Sequence, residues 1–233
     1  MTAAPADTGS GTLTGMPTSQ QNQSYWNTTG VTKTYSHPID LAWLGEPSDR
    51  ARILDYGCGY GRVTALLHDA GWTGVEGVDV AAGSVDRARR EHPELTFRVI
   101  EHPPALPYAD SSVDAVVLFA VLTCVPADDD QRRLVGELHR VLRSGGVLYV
   151  SDYPLQGDRR NLDRYQAFAV RYGRHGVFET GDGAVCRHHT REWLLDLLGA
   201  FEVSATREIA VTTMNGNPAT EEPRCRPGDG CLR

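Results

Sequence analysis

Between Arg52 and Thr64 an apolar run ends in an acid, three alternate glycines follow, and a helical pattern begins: Arg52-Ile53-Leu54-Asp55-Tyr56-Gly57-Cys58-Gly59-Tyr60-Gly61-Arg62-Val63-Thr64. Ile53 and Leu54 read as the end of a buried strand, and Gly57, Gly59 and Gly61 let the backbone turn tightly beneath a ligand. A helix starting near Gly61 would aim its amides and the positive end of its dipole into the same crevice. Open α/β sheets bind nucleotide-like ligands at that place, beyond the carboxyl end of the first strand.

The dinucleotide fingerprint G-x-G-x-x-G wants a glycine where this chain has Arg62. The spacing G-x-G-x-G, with Asp55 two residues ahead of it, resembles motif I of class I S-adenosylmethionine (SAM) methyltransferases. Val75-Glu76-Gly77-Val78-Asp79-Val80 reads as a second strand ending in an acid, which can take both ribose hydroxyls of an adenosine ligand, whether SAM or NAD. Leu106-Pro107-Tyr108-Ala109-Asp110-Ser111-Ser112-Val113-Asp114 resembles the family's LPF-x-D-x-S-F-D segment. Leu138 to Leu148 resembles its helix-to-strand-five motif, with Ser144 where proline is usual. The resemblance runs from Arg52 to Ser151. It implies an α/β, Rossmann-like fold: a mainly parallel sheet with helices on both faces and a small lid insertion after strand five.

The resemblance also implies SAM as cofactor, S-adenosylhomocysteine as product, and a set of cofactor contacts. These are Asp55, Tyr56, Gly57, Cys58 and Gly59 in motif I, Asp79 and Val80 after strand two, and Glu101 and His102 beside the adenine. Phe119 and Ala120, at the end of strand four, are expected along the methionine part. In such enzymes the segment before the first strand lies over the cofactor, which brings in Tyr25, Trp26 and Lys33, with Tyr35 on the acceptor side. Lys33 is the sole lysine of a chain whose other basic residues are arginines, a bias characteristic of high-GC bacterial genomes.

Texture and the resemblance together imply four segments. Residues 1–23, rich in Thr, Ser, Gly, Pro and Gln, are expected to be a disordered tail, and 24–50 a strap over the active site. Residues 51–214 form the methyltransferase domain, in which 155–189 is a lid made of the helix Arg159–Arg174 and a hairpin turned at Gly181-Asp182-Gly183. Glu202 to Met214 reads as one strand, and the proline-bearing residues 215–233 as an irregular tail that leaves the sheet edge bare or covered by a partner, a second copy included. Asp128, with Gln131, is expected to cap the fourth helix, and the Arg87 run to form a solvated helix face.

Methyl transfer from an activated donor requires alignment and exclusion of water, and an acceptor hydroxyl or protonated nitrogen also needs a base. His37, His188 and Asp152 are the candidates for that base; Tyr35, Tyr153 and Tyr165 are the candidates for acceptor contacts. Cys186 and His188 share a strand face while His189 faces away, so no metal is expected. A net charge of −7 supplies no basic field for nucleic acid or an anionic membrane. Five scattered cysteines, no membrane-length apolar run and no leader pattern point to a reduced cytoplasm. A small organic acceptor is the default, because no Asn/Asp-Pro-Pro-Tyr/Phe follows strand four and no Pro-Cys nucleophile pair is present. The competing classes are an NAD-dependent oxidoreductase and a SAM-binding subunit without catalysis.

Overall fold

A computed structural model describes residues 19–225, with side chains from 22 to 220. The central sheet grows from alternation. In β1 (Ile53–Tyr56), β4 (Val113–Phe119) and β5 (Leu142–Asp152), successive residues point to opposite faces, and both faces are apolar. Leu54, Tyr56, Val116, Leu118, Leu148 and Val150 meet Leu134, Val135 and Leu138 of α4 (Asp128–Val141) and Leu194 and Leu197 of α6 (Arg191–Leu197). Their neighbours Ile53, Ala115, Val117 and Tyr149 pack on the other face against Val63 and Leu67 of α2 (Arg62–Asp69), with Trp72 beside them.

β2 (Val75–Asp79) and β3 (Thr96–Val99) continue the sheet on the far side of β1, with α3 (Ala82–Glu91) as the crossover between them. The order is β3-β2-β1-β4-β5, all parallel. Strand order reverses between β1 and β4, so their carboxyl ends open a crevice there. Past β5 come α5 (Arg159–Tyr172) and a separate hairpin, β6 (Val177–Glu179) with β7 (Val185–Arg187).

The carboxyl-terminal region departs from its sequence reading. Glu202–Met214 is not one strand but two short ones, β8 (Ala205–Thr206) and β9 (Ile209–Thr212). The segment read as irregular forms β10 (Pro218–Cys225), antiparallel to β5. Its other edge pairs with β9 through residues 218–221 and with β8 only from Arg224 onward. Pro223 falls where the strand changes partner, and Pro218 is its first residue, so both prolines occupy positions a strand tolerates. The β5 edge is thus covered from within the chain. Residues 226–233 of the expected tail lie outside the described residues, as do 1–18.

The amino-terminal boundary moves as well. Helix α1 (Ser19–Asn27) takes in residues 19–23, which the sequence assigns to the tail. The capping expectation fails at α4: its N-cap is Ala127, and Asp128 instead holds Arg174 and, at 2.7 Å, Arg187. Gln131 is fully buried and hydrogen-bonds the carbonyls of Leu122 and Val125.

Deleting residues 218–233 strips the partner from β5, β8 and β9. At about 0.5–1.5 kcal/mol net per lost ladder hydrogen bond, a destabilisation of several kcal/mol is expected in urea unfolding, with a tendency to aggregate. An unchanged unfolding midpoint would show that β10 contributes nothing to the sheet.

Candidate active site

The site begins with the turn after β1. Gly57 has φ +74°, and a side chain there would run into Val121; Gly61, at φ +86°, presses against the Phe97 ring. The amides of Gly57 and Cys58 donate to the Val78 carbonyl at 2.8 and 3.0 Å. Asp79 accepts from the Gly59 amide at 2.9 Å and from the Ala81 amide at 2.8 Å. Its half-buried carboxylate spans the motif loop and the start of α3, and burial raises its pKa against the lowering effect of those amides.

Asp55 lies beneath, 2% exposed, and accepts from the Thr64 hydroxyl at 2.7 Å. Burial pushes its carboxyl up to about 6, only partly offset by Thr64 and Arg62. A cavity of about 230 Å³ opens over this floor, lined by Asp55, Tyr56, Gly57, Cys58, Gly59, Asp79 and Val80. Phe119 and Ala120 form its far side, and Ala120 holds a left-handed φ of +53°, a strained state for a residue with a Cβ.

The strap roofs this cavity. Tyr35 passes over Gly59 and stacks on Tyr60 with ring centroids 6.0 Å apart. Arg87 of α3 lies 4.2 Å from the Tyr60 ring centre and donates to the carbonyls of Val31 and Lys33 at 2.9 and 2.8 Å. The expected solvated arginine face therefore supplies a clamp on the strap. Asn22 donates to the Cys124 and Val185 carbonyls at 2.7 and 2.9 Å, and Gln23 to that of Val80 at 2.9 Å. These polar residues carry no periodic signal; their partners lie far along the chain.

Asp182, at the hairpin tip, is the latch. It pairs with Lys33 at 2.5 Å and accepts from Tyr25 at 3.0 Å and Thr180 at 2.6 Å. Burial alone would raise this carboxyl, but Lys33, Thr180 and Tyr25 hold it well below the usual carboxylate range. The latch is therefore charged throughout the neutral range.

A second cavity, about 80 Å³, lies beneath the hairpin and shares Trp26, Tyr35, His37, Ala120 and Cys124 with the first. His37 sits at the junction, 3% exposed, its Nε2 2.7 Å from the Tyr153 hydroxyl. Tyr153 stacks on His188, ring centroids 5.3 Å apart, and both line the second cavity. Burial drives the His188 pKa far below its ordinary value, so this ring stays neutral, with Nδ1 2.5 Å from the Tyr165 hydroxyl.

Most of the remaining sequence candidates lie elsewhere. Asp152 is fully buried and accepts from the Thr123 and Tyr153 amides, outside both cavities. It fixes the loop after β4. Tyr165 is buried behind His188, and Tyr25 packs with it and Phe178 in the small core under the hairpin. Glu101 and His102 are exposed; Pro103 and Pro104 line the cavity in their place. Lys33 lines the larger cavity and serves as the latch's cation. Among the described residues no group of three or more His, Cys, Asp or Glu is placed to hold a metal ion.

A five-stranded parallel core with a glycine turn at its switch point, an acid after β2 and a cavity between them defines the class I SAM-dependent methyltransferase fold. The family described as "Methyltransferase domain" matches residues 54–150. A SAM-dependent methyltransferase from Methanosarcina mazei superposes with a TM-score of 0.72 at 26% identity, covering 82% of this chain and 97% of that one. The 27-O-demethylrifamycin SV methyltransferase of Amycolatopsis mediterranei is 32% identical over 158 residues, 66% of this chain and 57% of that protein. The biotin biosynthesis bifunctional protein BioHC of Cellvibrio japonicus is 38% identical over 112 residues, 48% of this chain and 21% of its own length. The chain thus spans less than two thirds of these two curated relatives. It carries a class I SAM-dependent methyltransferase domain, and SAM is the cofactor of that class.

The floor of the larger cavity fits that cofactor: Asp79 retains acceptor capacity for ribose hydroxyls beyond its two amide bonds, and Asp55 offers an acid beside Gly57 and Gly59. The raised Asp55 pKa has a defined consequence for the free protein. The folded chain keeps a proton there that the unfolded chain releases near pH 4. Stability from this group is complete below that value and falls as pH rises through about 6. Asp55→Asn is expected to flatten the decline in melting temperature between about pH 4 and 7; a variant tracking the wild type across that range would show that Asp55 ionises freely in the fold.

Proposed function

We propose that the protein transfers the methyl group of SAM to an oxygen, nitrogen or carbon of a small organic molecule held in the second cavity, in bacterial secondary metabolism. The carrying observation is the shared wall: His37, Tyr35 and Ala120 border both cavities, so a ligand in each would meet there. Asp79, Gly57, Gly59 and Phe119 would hold the cofactor, and Trp26 and Tyr35 would roof it. Bound there, SAM supplies a methyl group already activated on a sulfonium.

The chain's own residues would orient the acceptor, exclude water beneath the strap and receive a proton. His37 would take that last role; its Nε2 lying 2.7 Å from the Tyr153 hydroxyl supports this reading. His188, held neutral by burial, orients Tyr153 through their stacked rings. A second cavity that shares a wall with the first favours a catalyst over a non-catalytic SAM-binding subunit. Arg62, standing where a dinucleotide fingerprint has glycine, disfavours NAD. The relative named for 27-O-demethylrifamycin SV supports a small-molecule acceptor. The unpaired thiols of Cys58, Cys124 and Cys186 suit a reduced cytoplasm.

Calorimetric titration of the wild type with S-adenosylhomocysteine and with NADH, followed by methyl transfer to a panel of phenols, amines and acids, tests this reading. Asp79→Ala is expected to lose roughly 1.5–3 kcal/mol of S-adenosylhomocysteine affinity, about ten- to a hundredfold. His37→Ala is expected to keep that affinity and lose turnover. Binding of NADH in preference to S-adenosylhomocysteine would overturn the function; full turnover by His37→Ala would remove His37 from the chemistry.

A further inference from the structure

The second cavity is lined by positive charge. Its charged lining side chains among the described residues, histidines aside, are Arg160 and Arg164, one turn apart on α5, in a chain of net charge −7. Arg87, Arg132, Arg140, Arg174, Arg187 and Arg207 each pair with a carboxylate. Arg164 has no such partner among the described residues. Its guanidinium lies over the Phe178 ring, 3.4 Å from the centre, and its Nε is buried without a hydrogen-bond partner. Its polar neighbours are neutral: His188, with Nε2 3.4 Å from one terminal nitrogen, and Tyr165, whose ring centre is 5.9 Å away.

A guanidinium withdrawn from water without a counter-charge is costly to fold. Stacking on the Phe178 face fixes its plane and leaves Nε without a hydrogen-bond partner, and the edge formed by Nε and a terminal nitrogen matches a carboxylate in a two-point fork. Arg160 sits further out, 38% exposed, 3.8 Å from Asp158 and with a long bond to the Pro218 carbonyl. It places a second positive charge beside the first without filling it.

We propose that the methyl acceptor carries a carboxylate, that Arg164 binds it inside the second cavity, and that Arg160 draws it in. This rests on the reading of that cavity as the acceptor site. Arg164 would then set which end of the acceptor enters, leaving the opposite end toward His37 and the shared wall.

The test uses the full chain saturated with S-adenosylhomocysteine, titrated calorimetrically with benzoate, methyl benzoate and phenyl phosphate at millimolar concentration. Benzoate is expected to bind about tenfold or more tightly than its ester. Arg164→Gln should abolish that preference while keeping S-adenosylhomocysteine affinity, which reports a folded site. Arg160→Gln, altered at an exposed position, should weaken benzoate binding severalfold and leave the ester unaffected; if Arg164→Gln does not fold, this variant decides. Failure of the wild type to bind S-adenosylhomocysteine would defeat the methyltransferase reading itself. With S-adenosylhomocysteine bound, the proposal alone is overturned by equal binding of acid and ester, by no binding of either, or by phenyl phosphate outcompeting benzoate through Arg164.

Discussion

The Asp79 carboxylate holds the amides of Gly59 and Ala81, tying the glycine turn after β1 to the start of α3. Two strand ends converge on one acid, and the Val78 carbonyl beside it takes two further amides from the same turn. The crevice at the β1/β4 switch point therefore has a floor of fixed polar groups before any ligand arrives. Burial of that floor sets its chemistry: Asp55 is driven toward its neutral form, and the turn cannot relax because Val121 and Phe97 occupy the space side chains would need. A preformed polar floor lowers the ordering cost of binding.

The roof is built from the opposite kind of contact. Among the described residues the strap is held by scattered side-chain bonds from Asn22, Gln23, Arg87 and the Lys33–Asp182 pair. Each is individually modest, and together they anchor the strap to four places: the loop after β4, the hairpin, the end of β2 and α3. Such a roof can open locally without unfolding the sheet. Asp128, tying α4 to Arg174 and Arg187, fixes the base on which the hairpin rests.

The sequence discloses the parts of this arrangement that depend on local chemistry. Alternation in β1, β4 and β5, the glycine spacing, the acid after β2 and the turn at Gly181-Asp182-Gly183 are properties of adjacent residues. What it conceals depends on distant partners. Arg87 looks like one charge in a basic run, yet its partners are strap carbonyls. Asp152 looks like an acid at a crevice, yet the Thr123 loop folds over it. β10 is hidden because its two prolines argue against a strand, and only its change of partners at Pro223 reconciles them. That Arg164 has no carboxylate partner among the described residues depends on what distant segments bring near it, and the order of residues does not contain it.

The central claim is that floor, strap and hairpin form one ligand-closed site whose two cavities meet at His37. Hydrogen–deuterium exchange with and without saturating S-adenosylhomocysteine tests it most directly, because protection is read segment by segment. The account predicts slower exchange in three separate stretches: the turn at Gly57–Gly61, the strap from Asn22 to His37, and the hairpin from Val177 to Arg187. Slowing confined to the turn, with the strap and hairpin exchanging as in the free protein, would contradict it.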